Sequence, residues 1–416
     1  MIPEGLRARR IALSPDVRFG GTLRRGPARL HLILDRRTGR LMEVGPREHF
    51  IITRLDGTRS LADIGEEYAA HFGRRLGAGG WQAILGLLGA RGLLADGPRS
   101  GRPTPPAGAA ARPVPAGSGP FRGGIRLNPA SATLDRLFRA LGFAVNRYLV
   151  PPALLLITVM EVQLCRNART LLRQAWGLRG NPGPLSAVVA VLAVSLVLHE
   201  LAHGVAARRF GATVTEIGLR WRFPGVTAYC QADDYLLLRS RKQQVATAGA
   251  GVYMNLLLLL PFFAASVVIT PTGAAADALA GLLLLGSFLA LINLAPIPPL
   301  DGYKMLSHAL GMSGYATESF RFMRLVADRV RGRRGAIAAY PKAARVAYAG
   351  YALGSVAAAG AAAAGLVLLS HHLLAGRFGA TAAVVPAVLF IAGTAANVIT
   401  RQRRRGERPA RKAEDR

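Results

Sequence analysis

Two histidines four residues apart, with a glutamate beside the first, form the run His199-Glu200-Leu201-Ala202-His203 at the end of an apolar stretch that begins near Leu185. On a helix, positions i and i+4 share a face, so His199 and His203 can present two imidazoles to one metal ion. Glu200 follows His199 directly, where it can take a proton from a metal-bound water. A hydrolytic zinc centre needs a third protein ligand and one open position. Asp301 is the candidate, in Asn293-Leu-Ala-Pro296-Ile-Pro298-Pro-Leu-Asp301-Gly302, at the end of another apolar run. Ionisable side chains within an apolar helix of bilayer length are expensive, and their default reading is functional.

The pair HELAH and NLAPIPPLDG resembles the site-2 protease family of intramembrane zinc metalloproteases, whose signature is HExxH plus a later Asn-Pro-Asp-Gly-type segment. The resemblance covers residues 185–302 and, more loosely, the apolar spans on either side. It implies Zn2+ held by His199, His203 and Asp301, Glu200 as general base, and a peptide or protein substrate. It also implies Asn255 and Asn293 as substrate-positioning or oxyanion groups. Site-2 proteases carry a strand beside the zinc that aligns an extended substrate. Residues 213–223 alternate in that manner, with Ile217, Leu219, Trp221 and Phe223 against Gly218, Arg220 and Arg222, before a Pro224-Gly225 turn.

The elements that must position these groups follow from composition and hydropathy. The chain has 416 residues, 51% of them hydrophobic, and a net charge of +30 from 53 basic and 23 acidic residues. That composition suits a multi-pass membrane protein with a soluble part. The basic excess is read as orientation and contact with the anionic face of a lipid bilayer, and no nucleic acid is expected as a partner. Cys165 and Cys230 lie in separate segments, which excludes a disulfide framework and a cysteine zinc site. Apolar stretches of spanning length occur at 141–162, 185–207, 245–269, 274–294, 346–369 and 380–399, giving an expectation of six spans. The first is interrupted by Asn146, Arg147 and the Pro151-Pro152 pair. Basic loops at 208–242 and 308–345 and the basic tail 401–416 place both termini, and the N-terminal domain, in the cytoplasm. Arg166, Arg169, Arg173 and Arg179 dissent, since they would lie outside. With this topology His199, His203, Asp301 and Asn255 fall at one depth, on three different helices.

Ahead of the spans, residues 1–27 read as a basic, poorly ordered segment, and 28–96 as a small α+β domain. Ala28 to Leu34 alternates as a strand, 35–40 is a turn, and Leu41 to Val44 returns as a second strand. Helical spacing follows from Pro46 to Leu55, Asp56-Gly57 breaks it, Ser60 is an N-cap, and a last helix runs from Gly80 to Ala90. A hairpin with three short helices is a winged-helix-like layout. One use of such a layout is DNA binding, with Arg74 and Arg75 at hand. The stretch from Ile51 through Asp56-Gly57 and Ile64 to Leu94 also resembles PqqD-type domains, the recognition elements for leader peptides of ribosomally made natural products. That resemblance implies a peptide added as an extra strand to the hairpin edge. A purely structural cap is the third use. Residues 97–124 are a Pro/Gly-rich linker that cannot form a core.

The expectation is therefore a mainly α, six-span helical membrane protein (membrane domain 125–400) with an N-terminal winged-helix-like domain. Its expected function is zinc metalloendopeptidase, acting on a precursor peptide captured by residues 28–96. Two other functions stay open at this point: a peptide-export component with a non-catalytic metal site, and regulated intramembrane proteolysis of a membrane-bound transcription regulator. A membrane-tethered DNA-binding regulator is a further reading of the N-terminal domain. His308, His371 and His372 match no ligand spacing and read as loop residues.

Overall fold

The structure, a computed structural model, describes residues 7–95, 122–127, 132–212, 214–222, 225–232, 235–333 and 337–378. Most of the linker, the expected sixth span at 380–399 and the tail 401–416 lie outside the described residues. The chain divides into two units, Met1–Ser313 and Gly314–Arg416.

The first unit opens with β1 (Arg10–Ala12), β2 (Val17–Arg25), β3 (Ala28–Asp35) and β4 (Arg40–Val44), followed by α1 (Pro46–Ile52), β5 (Asp56–Ser60), α2 (Leu61–Phe72) and α3 (Ala78–Ala90). Strands β2, β3 and β4 form an antiparallel meander, and β1 pairs with β5. The β2–β3 turn passes through Gly26 at φ 58° and the β3–β4 turn through Gly39 at φ 67°, where a side chain would be strained. Helix α2 starts on a capping box: Ser60 Oγ accepts from Asp63 N at 3.1 Å and Asp63 Oδ2 accepts from Ser60 N at 3.0 Å. Its apolar side, Leu61, Ile64 and Tyr68, meets Trp81 and Leu88 of α3 and Ile33 of the sheet in one core. Burying each such side chain contributes roughly 1.5–3 kcal/mol.

Strands β1 and β2 lie where a poorly ordered basic segment was expected. The Arg-rich, Gly20-Gly21 run of β2 has little alternation to read, and its register even shifts between Phe19 and Thr22. Pairing along β3 is what makes it a strand. The domain is also bonded to residues 311 and 313 far along the chain. Arg24 N donates to Gly311 O and Ser313 N donates to Arg24 O, each at 2.8 Å. Arg25 is bonded to Ser313 Oγ at 3.1 Å and paired with Glu43 at 2.9 Å, and Glu43 in turn accepts from Ser313 Oγ. Gly20 lies against Leu237, so closely that a Cβ would collide.

After β6 (Arg122–Leu127) come α4 (Ala132–Leu141), a 3-10 turn at Gly142–Val145, α5 (Val150–Arg166), α6 (Ala168–Gly177) and α7 (Pro182–Arg209). Then β7 (Val214–Arg222) and β8 (Gly225–Ala232) lead to α8 (Arg241–Val268), α9 (Gly273–Ile292) and α10 (Asp301–Leu310). The second unit holds α11 (Tyr315–Val330) and α12 (Lys342–Phe378), joined by an aromatic cluster in which Tyr315 Oη donates to Ala347 O at 2.7 Å.

Among the described residues, Pro182–Arg209, Arg241–Val268, Gly273–Ile292 and Lys342–Gly365 are long and apolar enough to cross a bilayer. Phe138–Val145 and Val150–Arg166 make a fifth span only as a pair bent by 74°. Five of the six expected spans fall on the described residues, four as single helices and the first as the bent pair; the sixth lies outside them. The bend falls where Asn146 and Arg147 interrupt the apolar run, and Pro151-Pro152 start the new helix rather than break it. The dissenting arginines have a physical setting too. Arg169 and Arg173 are exposed on α6, an amphipathic helix whose Leu171 packs into the bundle core, and the Arg179 guanidinium lies 3.5 Å above the Trp176 ring. Arg169 and Arg173 thus belong to a helix of interfacial character, with Arg166 ending α5 and Arg179 in the 3-10 turn after α6. Val189, Val194, Phe288 and Leu289 stay exposed on α7 and α9, as side chains solvated by lipid do.

The expected hairpin is present as β7 and β8, and β6 adds to β7 as a third antiparallel strand. β6 begins in the stretch read as linker, where Gly123-Gly124 hides any alternation. Ile217 of β7 is buried with Phe138, Leu201 and Val205, which seats the sheet against the C-terminal half of α7.

Candidate metal centre

Helix α7 brings His199 and His203 to one side, as i and i+4 must. Their rings lie 4.9 Å apart and nearly perpendicular, and their Nε2 atoms are 3.3 Å apart. Helix α8 crosses them with one face. Residues 247, 251 and 255 are spaced by four, so they stack along that face. Thr247 gives its carbonyl to His203 Nδ1 at 2.8 Å. Gly251 lies under the His199 ring, where a Cβ would come within 2.5 Å of Cε1 and Nε2. Asn255 reaches His199 Nδ1 at 3.1 Å with one end of its amide and Ser195 Oγ at 3.0 Å with the other.

Asp301 arrives by a different route. The loop after α9 folds back until Gly302 N donates to Asn293 O at 2.7 Å. At Gly302 a Cβ would sit 2.0 Å from Leu294 O, so only glycine permits this closure. Asp301 thereby becomes the first residue of α10, where a carboxylate complements the helix dipole. Its Oδ2 lies 2.9 Å from His199 Nε2 and 3.2 Å from His203 Nε2. Burial opposes its ionisation, but hydrogen bonds from His199, His203 and Lys304 outweigh that and hold the carboxyl well below the usual carboxylate range.

These three atoms satisfy a metal-site test. Two ligands on a tetrahedral zinc, at about 2.0–2.2 Å from the ion, stand roughly 3.3–3.5 Å apart. The sides of the triangle here, 2.9, 3.2 and 3.3 Å, fall within a few tenths of an ångström of that. The donor set is two imidazole nitrogens and one carboxylate oxygen, a set known for zinc centres that keep a position open. The group His199, His203 and Asp301 is the one metal-competent cluster among the described residues. Each imidazole has a fixed partner on Nδ1, which leaves Nε2 for the metal.

Glu200 is half-buried and takes no part in the triangle. One turn on, Gly204 lies against Cys230 Sγ of β8. Burial, and after it the charge of Glu200, pushes the Cys230 thiol up to about 12. Asn293 caps α9, and its Nδ2 donates to Leu289 O at 3.0 Å. Sequence reasoning passed over Gly251, Thr247, Ser195 and Lys304. Glycine and a backbone carbonyl carry no signal of chemistry, though the spacing of four from 247 to 255 could have suggested a shared face. His308 and His371 are helical, in α10 and α12, and not in loops. His308 is buried, and burial together with the Lys304 charge brings it down to about 4, so it is neutral at pH 7.

Comparison with known families gives one match: residues 187–280 fit the model of Peptidase family M50. That stretch holds His199, Glu200, His203 and Asn255, and it ends before Asn293 and Asp301. The match supports the site-2 protease family and indicates an intramembrane metalloprotease. No curated protein and no solved structure matches the chain.

Proposed function

We propose that the protein is a zinc-dependent intramembrane endopeptidase that processes a leader-bearing precursor peptide. The observation that carries the hydrolase is the triangle of His199 Nε2, His203 Nε2 and Asp301 Oδ2, assembled from two helices, α7 and α10, with Glu200 next in sequence to the first ligand and outside the triangle. Zinc held by His199, His203 and Asp301 would supply Lewis acidity toward a scissile carbonyl and a water acidic enough to attack it near neutral pH. Glu200 takes the proton of that water on its carboxylate and hands it to the departing amine. Thr247 O holds His203 through Nδ1–H. Asn255 places Nδ2 at His199 Nδ1 and accepts from Ser195 Oγ on Oδ1; with His199 bound to metal through Nε2, Nδ1 would carry the proton and a turned amide would accept it on Oδ1. Asn293, bonded within its own helix end, serves as a substrate-positioning group only if a bound peptide draws it away from Leu289 O.

An extended substrate suits the site because a helix hides its amides in hydrogen bonds. The β6–β7–β8 sheet beside Glu200 offers backbone groups for aligning such a strand. Capture of a leader is assigned to the N-terminal domain, as its resemblance to PqqD-type domains suggests, with the leader pairing along an open edge of the β2–β3–β4 sheet. Both termini are taken as cytoplasmic, from the basic loops. The test is cleavage of peptides encoded by adjacent genes, using detergent-purified wild type and Glu200→Ala. Wild-type cleavage with about one zinc per chain, and loss of at least 10²-fold in a Glu200→Ala that still holds zinc, are expected. A wild type that binds no metal and cuts nothing points instead to the export reading.

A further inference from the structure

Asp301 divides its two oxygens between different partners. Oδ2 completes the triangle with the two histidines. Oδ1 takes a 2.8 Å hydrogen bond from Lys304 Nζ, one helical turn further along α10. This is not an ordinary surface ion pair. The carboxylate is 5% exposed and the lysine 47%, and among the described residues Lys304 is the partner that Oδ1 has. A charge-assisted bond to a buried carboxylate is stronger than an exposed i,i+3 pair and orients the group it meets.

Orientation matters here because a carboxylate can ligate with one oxygen or with two. The centre already has two imidazoles, and a four-coordinate hydrolytic zinc has one position left for water or the scissile carbonyl. Rotation of the Asp301 carboxylate about its Cβ–Cγ bond would bring Oδ1 toward the same position. We infer that Lys304 is a positioning residue for the metal centre: by holding Oδ1, it keeps Asp301 a one-oxygen ligand and the fourth position open. The inference rests on the metallopeptidase reading above. Lys304 acts only through Asp301. Its cation on the far oxygen also withdraws electron density from the carboxylate, which makes a bound metal the stronger Lewis acid.

The experiment uses the full chain in detergent, with cobalt(II) in place of zinc, and compares wild type with Lys304→Met, Lys304→Gln and Lys304→Arg. Cobalt absorbs intensely in the visible when four-coordinate and more weakly when a fifth ligand enters. Lys304→Met is expected to keep one metal per chain and the wild-type melting temperature, but to lose visible intensity. Its kcat falls by about tenfold or more with KM nearly unchanged, the size usual for lost partners of metal ligands. Lys304→Gln, which can donate a neutral hydrogen bond, falls between, and Lys304→Arg returns both spectrum and kcat toward wild type. A Met variant with the wild-type cobalt spectrum and wild-type kcat overturns the inference and leaves the metallopeptidase reading standing. A wild type that takes up no cobalt and cleaves nothing overturns that reading itself.

Discussion

At the scale of single residues, the centre is defined as much by what stands behind the histidines as by the histidines. His199 and His203 each have one nitrogen committed to α8, His203 to the Thr247 carbonyl and His199 to the Asn255 amide. A backbone carbonyl cannot be removed by substitution, but the amide can. Asn255→Leu is expected to lower zinc affinity by roughly 10–100-fold, while Asn255→Asp, which can accept from Nδ1–H of a metal-bound His199, keeps most of it. Competition with a metal-binding dye measures both. Equal zinc affinity in wild type and Asn255→Leu would return Asn255 to a role toward substrate.

At the scale of elements, the close crossing of α7 and α8 depends on a single missing side chain. Gly251 lets α8 pass where a Cβ would overlap the His199 ring. Gly251→Ala therefore has to push the ring or the helix aside. Overpacking of this kind costs about 1–3 kcal/mol, and here the displaced group is a metal ligand. The expected result is a lower melting temperature together with loss of bound zinc. Gly249→Ala is the control, since a Cβ at 249 meets only the flexible end of Met305. Should the two variants lose zinc equally, helix destabilisation alone would explain both. Gly302 has the same standing in the loop after α9, where the fold-back that delivers Asp301 leaves no room between residue 302 and Leu294 O.

On the scale of the whole molecule, the N-terminal domain and the metal centre meet through one helix. Asp301 opens α10, and the residues just after α10, Gly311 and Ser313, take both backbone hydrogen bonds of Arg24 at the end of β2. A peptide held on the β2–β3–β4 sheet is thus held by a domain fastened next to the helix that carries the third ligand. On the proposed leader-capture reading, such an arrangement would raise the local concentration of a tethered cleavage site. Removing the leader from a precursor is then expected to raise KM at least tenfold with little change in kcat, read from steady-state cleavage by the intact protein. Equal KM for precursors with and without leader would reduce the domain to a structural cap. DNA binding by residues 7–95 would show as salt-sensitive association with duplex, which the peptide-capture reading does not expect.

Local chemistry was legible in the chain itself. His199, Glu200 and His203 depend on helical periodicity, and periodicity is a property of neighbouring residues. So are the capping box at Ser60 and Asp63, the β7–β8 alternation, and the break near Asn146. What tertiary structure decided is everything that needs two distant segments at once. β2 and β6 are strands because partners select them, since their Gly-Gly pairs carry no pattern of their own. Asp301 could be nominated from its segment. Its distance to the histidines, the division of its oxygens between metal site and Lys304, and the meaning of Gly251 and Gly302 exist only once the helices cross. The physical reason is range: propensity and spacing act over a turn or two of helix, whereas a ligand triangle is closed by packing across a hundred residues of chain.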